Sequence, residues 1–188
     1  MTAGTRRAVF LDRDGVLNAL VVRQGRLESP LRLEEFRIAE GAGAVRRLRT
    51  HGLLVFVVTN QPEVSRGNLK PADLDAMHET LRTAVDLDDI AICPHEDAAR
   101  CACRKPEPGM LLALAERWDV DLARSFVVGD TWRDAEAGRR AGCRTILVPG
   151  DRRIGREPDV EVSSLEEAVT AIEASLGADG GEGHGLRS

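Results

Sequence analysis

The 188-residue chain is 43% hydrophobic and 30% charged, the balance of one globular domain large enough to bury a sizeable core. No apolar run exceeds six residues, the length of Leu53 to Val58, whereas a membrane span needs roughly 20. A formal net charge of -5 and the absence of Tyr speak against a nucleic-acid surface, which wants a basic face and often stacking aromatics.

The first element is a run of four β-compatible apolar residues, Ala8 to Leu11, followed by Asp12-Arg13-Asp14-Gly15. Gly15 breaks the strand, so Asp12 and Asp14 stand where it becomes a loop. Nothing before Asp12 is apolar enough for a signal peptide, which makes the cytoplasm the expected compartment. Asn18 to Ala39 has no clear periodicity and is expected to be a loop with short strands over the carboxyl end of a sheet. Gly41 to His51 reads as a helix, and Leu53 to Val58 as a second strand running into Thr59-Asn60-Gln61. Pro71 to Val85 has proline at its start and Leu74, Met77, His78 and Leu81 at helical spacing. Strands at Ile90 to Cys93, Ser125 to Val128 and Arg144 to Val148 alternate with helices at Met110 to Trp118 and Arg133 to Ala141. A short strand at Val160 to Val162 and a helix from about Ser164 to Leu176 complete the series. Ser163 or Ser164 would cap that helix, with Glu166 or Glu167 in the third helical position. Strands alternating with helices predict an α/β fold, a mostly parallel sheet covered on both faces, in a single domain over residues 1–176. The glycine-rich stretch 177–188 is expected to be disordered.

Paired carboxylates closing a core strand repel each other unless a cation or a shared proton relieves them, and the carboxyl edge of such a sheet is where ligands bind. Asp130 closes the strand in Val127-Val128-Gly129-Asp130, and Asp134 follows at the same edge. Acids from two strand ends make a hard oxygen site suited to Mg²⁺. Asp134 taken alone could equally be a helix N-terminal acid facing the dipole. Thr59 offers a hydroxyl at that edge to an anion, although Thr-Asn after a strand is also an ordinary turn. Lys105 is one of only two lysines among 26 basic residues, in Cys103-Arg104-Lys105-Pro106-Glu107-Pro108-Gly109-Met110. The prolines stiffen the segment, and a compact ammonium there suits a point-charge contact with phosphate or carboxylate; a solvated surface lysine is the plain alternative. Cys93, His95, Cys101 and Cys103 fall within eleven residues, a Cys₃His inventory for tetrahedral zinc. Four protein ligands leave no open position, so such a metal is structural and ties the loop of Arg104 and Lys105 to the third strand. Arg66 and Gly67 are candidates for an anion site, and Cys143 is expected to be buried.

The set Asp12-x-Asp14-Gly15, Thr59, Lys105 and Gly129-Asp130-x-x-x-Asp134 resembles the haloacid dehalogenase (HAD) superfamily of phosphatases over about residues 8–150. Within it, Asp12-Arg13-Asp14-Gly15, Thr59-Asn60-Gln61, Arg66-Gly67, the cysteine–histidine set and the Cys103 to Met110 motif are similar to those of the D-glycero-D-manno-heptose-1,7-bisphosphate 7-phosphatases. Histidinol-phosphate phosphatases are close siblings. The resemblance implies a Rossmann-like HAD fold without a large cap domain, the zinc loop taking part of the cap's role. It implies Asp12 as nucleophile, Asp14 as general acid and then base, and Thr59 and Lys105 as stabilisers of the phosphoryl oxygens. It further implies Mg²⁺ held by Asp12, the Asp14 backbone carbonyl and Asp130, with Asp134 behind them. Asn60, Gln61, Arg66 and Arg104 would contact the substrate, expected to be a small phosphorylated sugar. A monomer is expected, with neither nucleic acid nor membrane as partner. The non-enzymatic alternative is a zinc-stabilised module that binds sugar phosphate without hydrolysing it.

Overall fold

Four consecutive apolar side chains, Ala8–Leu11, form β1, and all four are buried because both faces of the sheet are covered. The computed structural model describes residues 4–150 and 157–179. After β1 come β2 (Val21–Arg23), β3 (Arg26–Glu28), α1 (Arg46–Thr50), β4 (Leu54–Asn60), α2 (Pro62–Ser65), α3 (Pro71–Val85) and β5 (Asp89–Cys93). The second half holds α4 (Gly109–Trp118), β6 (Phe126–Gly129), α5 (Trp132–Ala141), β7 (Arg144–Leu147), β8 (Val160–Glu161) and α6 (Leu165–Asp179).

The main sheet runs β5-β4-β1-β6-β7-β8, and every pairing in it is parallel. Alternation along the strands sends side chains to two layers. Val9 and Leu11 join Val55, Met77, Leu81 and Ile172 under α3 and α6. Ala8 and Phe10 join Phe56, Leu111 and Leu114 under α4, together with Ala137 of α5. β1 has β4 on one side and β6 on the other, so the chain crosses over in opposite directions from this strand. That is the topological switch point, and it opens a crevice at the carboxyl ends of β4, β1 and β6.

The α/β class and the alternation of strands and helices are as expected; some boundaries differ for local reasons. β4 runs on through Thr59 and Asn60, because these pair with Ile92 and Cys93 of β5. Thr59 is therefore held in extended backbone and does not begin a turn. The expected helix over 41–51 is a 3₁₀ turn, Ala42–Val45, leading into α1, and it starts from Gly41 at a φ of 79°. Asn18 to Ala39 contains the β2–β3 hairpin, as its sequence suggested. Of the two candidate caps for α6, Ser164 acts: its Oγ accepts from the Glu167 N–H, while the Glu167 carboxylate accepts from the Ser163 N–H. Residues 177–179 continue α6, and the remainder of the expected disordered stretch, 180–188, lies outside the described residues. Among the described residues no helix is long and apolar enough to cross a membrane.

Candidate active site

Asp12 takes up the ladder where β1 ends, its N–H donating to the Val128 carbonyl of β6. Its Oδ1 accepts from the Arg13 N–H at 2.8 Å and lies 2.8 Å from Lys105 Nζ. Lys105 is 3% exposed and uses its ammonium fully, reaching Asp12, Asp134 Oδ1 at 2.6 Å and the Val58 carbonyl at 2.8 Å. Burial disfavours that charge, but the Asp12 and Asp134 carboxylates outweigh it and hold the Lys105 pKa above its ordinary value. The surface-lysine alternative is thereby removed. The Lys105 backbone is pinned by Asn60, whose side-chain amide exchanges two 3.1 Å hydrogen bonds with its N–H and C=O. Asn60, expected to meet substrate, thus first fixes the lysine.

The helix-start reading of Asp134 matches the geometry, and its carboxylate has a second partner in Lys105. Its Oδ2 accepts from the N–H and hydroxyl of Thr131, closing a capping box at the start of α5, while Oδ1 takes the lysine. Asp130 lies opposite Gly15: a Cβ on that glycine (φ 86°) would meet Asp130 Oδ2 at 2.2 Å, so only glycine fits. The carboxylates of Asp12, Asp130 and Asp134 offer oxygens within 4.8 Å of one another. Asp130 Oδ1 is buried with no hydrogen-bond donor. Burial, with Asp12 and Asp134 beside it, pushes Asp130 up to about 8. Burial also pushes Asp12 up to about 7, against the pull of Lys105. A buried acceptor without a donor among crowded carboxylates fits a hard divalent cation bound by oxygen.

This cluster lines a cleft of about 1330 Å³, together with Leu20, Arg26 and Leu27 of the hairpin region and with Arg104 and Arg133. Thr59 lines it too, and its Oγ1 accepts from Gln61 Nε2 at 2.8 Å, which leaves its own hydrogen for another acceptor.

The comparisons with known proteins bear on this arrangement. The HAD-hydrolase-like family matches residues 102–168. The chain is 40% identical to the D-glycero-beta-D-manno-heptose-1,7-bisphosphate 7-phosphatase of Rhodopseudomonas palustris, over 87% of this chain and 92% of that one. It is 36% identical to the enzyme of the same name from Pseudomonas aeruginosa, over 92% and 98% of the two chains. The crystal structure of the D,D-heptose 1,7-bisphosphate phosphatase of B. bronchiseptica, complexed with magnesium and phosphate, superposes with a TM-score of 0.78 at 32% identity, covering 90% of this chain and 99% of that one. The chain belongs to the HAD superfamily of phosphatases. It is a phosphoric monoester hydrolase of that superfamily, and the non-enzymatic alternative falls away.

In this phosphatase the remaining candidates divide. Cys93, His95, Cys101 and Cys103 converge, with Sγ–Sγ distances of 3.2–3.6 Å and His95 Nδ1 3.4 Å from Cys103 and 3.6 Å from Cys93. These separations approach the edges of about 3.8 Å expected of a tetrahedron with Zn–S bonds of about 2.3 Å. All four cysteines are free thiols. Cys143 is buried, as expected. Arg104 straps across the same loop, to Asp97 Oδ1 at 2.6 Å and the His95 carbonyl at 3.0 Å, and also lines the cleft.

Gln61 and Arg66, both expected to contact substrate, each have protein partners. Gln61 is 1% exposed, is not among the cleft-lining residues, and donates to Thr59 and to Asp14 Oδ2 at 2.7 Å. Arg66 is occupied by Glu63 and by Glu96 at 3.2 Å, and it too is absent from the cleft lining. Conversely, sequence reasoning passed over Arg13, Asn18 and His78. Asn18 donates to Asp14 Oδ1 at 3.0 Å, and Arg13 forks onto the same carboxylate with its side chain fully buried. The one available signal was the position of Arg13 between two acids, and in an arginine-rich chain it reads as solvated.

Proposed function

We propose that this phosphatase hydrolyses the 7-phosphate of D-glycero-D-manno-heptose 1,7-bisphosphate with Mg²⁺ in the carboxylate site and structural zinc in the cysteine–histidine site. The chemistry rests on Asp12 at a strand end with the Lys105 ammonium 2.8 Å from its Oδ1, above the unpartnered Asp130 oxygen. The substrate rests on the relatives at 40% and 36% identity, both heptose-bisphosphate 7-phosphatases.

Asp12 attacks phosphorus to give an aspartyl-phosphate, and Oδ2, which has no hydrogen bond among the described residues, is the oxygen left for the attack. Asp14 protonates the leaving sugar oxygen, then takes a proton from the water that hydrolyses the intermediate. The Thr59 hydroxyl and the Lys105 ammonium stabilise phosphoryl oxygens as charge redistributes, Lys105 through its fixed positive charge, since its three N–H donors already meet Asp12, Asp134 and Val58. Mg²⁺, held by Asp12, Asp130 and the Asp14 backbone carbonyl, would supply positive charge that offsets repulsion between the carboxylate and the phosphate. Arg104, strapped to the zinc loop, contacts the substrate beyond the transferred group. The free thiols are in keeping with a reducing compartment, the cytoplasm, where the enzyme would act as a monomer.

Phosphate release from both heptose-bisphosphate anomers, histidinol phosphate and a panel of sugar phosphates tests the assignment. A heptose bisphosphate is expected to have the highest kcat/KM, and Asp12→Asn to lose turnover by about 10⁴-fold or more. Preference for histidinol phosphate would move the enzyme to the sibling group; full activity in Asp12→Asn would refute the mechanism.

A further inference from the structure

Every contact on the Asp14 carboxylate comes from a hydrogen-bond donor. Oδ1 accepts from Arg13 Nε at 3.2 Å, Arg13 Nη2 at 3.0 Å and Asn18 Nδ2 at 3.0 Å. Oδ2 accepts from Arg13 Nη2 at 3.0 Å and Gln61 Nε2 at 2.7 Å. Arg13 is itself 0% exposed, with its guanidinium 5.8 Å from the Phe36 ring centroid and Nη1 3.4 Å from His78 Nε2. Burial and then the Arg13 charge push His78 down to about 4, so its ring is neutral near pH 7 and Nε2 can accept from the guanidinium. A fully buried guanidinium is costly unless it is paired and hydrogen-bonded. This one spends its pairing on a single carboxylate, and neither the nucleophile nor the phosphate clamp uses it.

We infer that Arg13 is a positioning residue, whose guanidinium, backed by His78 and Phe36, fixes the Asp14 carboxyl where it can serve both the leaving sugar oxygen and the attacking water. The inference rests on the phosphatase reading above. In the first half-reaction a bond forms from an Asp12 oxygen to phosphorus as the ester P–O bond breaks. The electron pair stays on the sugar oxygen, which takes the proton of the Asp14 carboxyl, carried on an oxygen from which one of its hydrogen-bond donors has withdrawn. In the second, a water oxygen bonds to phosphorus and passes a proton to the Asp14 carboxylate. The P–O bond to Asp12 then breaks with its electron pair on Asp12, and phosphate leaves. Sugar phosphates need Asp14 in both halves. With p-nitrophenyl phosphate the phenolate departs without protonation, so only the second half needs it.

That difference separates a positioning role from a general loss of structure. Arg13→Gln and Arg13→Lys, loaded with Mg²⁺, are assayed against the best wild-type sugar phosphate and against p-nitrophenyl phosphate. In Arg13→Gln the sugar-phosphate kcat is expected to fall about 100-fold with KM little changed. Nitrophenol should appear in a burst of about one equivalent per active site, then slowly, because the phosphoenzyme still forms and its hydrolysis is slowed. Arg13→Lys, which keeps the charge and loses the fork, should recover part of the turnover and shrink the burst; if the glutamine variant does not fold, the lysine variant gives both readouts against wild type. Equal losses on the two substrates without a burst, or undiminished sugar-phosphate turnover, would overturn the inference. A wild-type enzyme inactive on every phosphate ester would instead remove the phosphatase reading beneath it.

Discussion

Lys105 meets three acceptors with three N–H donors, and that match is why a lysine can be buried beside the proposed nucleophile and stay charged. An arginine there would bring a planar fork and two further donors to a site with no acceptors for them. Asp12, Asp130 and Lys105 were legible as site residues because acids closing a core strand, and a lysine in an arginine-rich chain, are hard to explain otherwise. Arg13 was not legible, because its burial depends on Phe36 and His78, which arrive from distant positions. Its neighbour His78 should leave a mark on stability. Burial, with the Arg13 and Arg82 charges outweighing Asp14, takes its pKa from 6.5 to about 4. Between these values the unfolded chain binds a proton that the folded chain refuses, so stability is intact above about 6.5 and falls as pH drops toward 4. His78→Gln should remove this slope. Urea unfolding at pH 7 and pH 4.5 should show the variant losing about 2.5 kcal/mol less than wild type on acidification. Identical losses would place the His78 pKa near its ordinary value.

Between β5 and α4 lies the connection that places both Arg104 and Lys105. Cys93 anchors it at the end of β5, and Gly109 closes it: a Cβ there would meet the Ala102 carbonyl oxygen at 2.3 Å, while its N–H donates to that same oxygen. The proposed zinc would lock this connection through four side chains, so losing it should loosen the lysine and its hold on Asp12 and Asp134. Purified protein is expected to carry about one zinc per chain, and Cys101→Ala to lose it together with about tenfold or more of kcat/KM. Metal analysis beside the assay checks both, and protein without zinc at full activity would refute the role. The convergence of Cys93, His95, Cys101 and Cys103 was readable from residue types packed into a short span. The length of β4 was not, since Thr59 and Asn60 become strand only by pairing with Ile92 and Cys93 across a parallel crossover.

Across the whole molecule, one sheet covered on both faces carries the site at its switch point, so the core and the cleft can be perturbed separately. Phe56 is 0% exposed between Phe10, at 5.4 Å between ring centroids, and Trp118, at 5.7 Å. Phe56→Ala should cost about 3–5 kcal/mol in denaturant unfolding, with kcat of the remaining folded enzyme nearly unchanged. A loss of kcat at unchanged stability would contradict that separation. By itself the sequence determined the α/β class, the strand ends bearing acids, and the cysteine–histidine cluster, because periodicity and local spacing are properties of neighbouring residues. Only the tertiary structure decided that Arg66 reaches Glu96, that Asn60 pins Lys105, that Gln61 holds Asp14, and that His78 and Phe36 back Arg13. Those assignments depend on which donors and acceptors meet after segments tens of residues apart are packed together. A buried polar group takes the partner that the fold brings within reach, and its sequence neighbours do not name that partner.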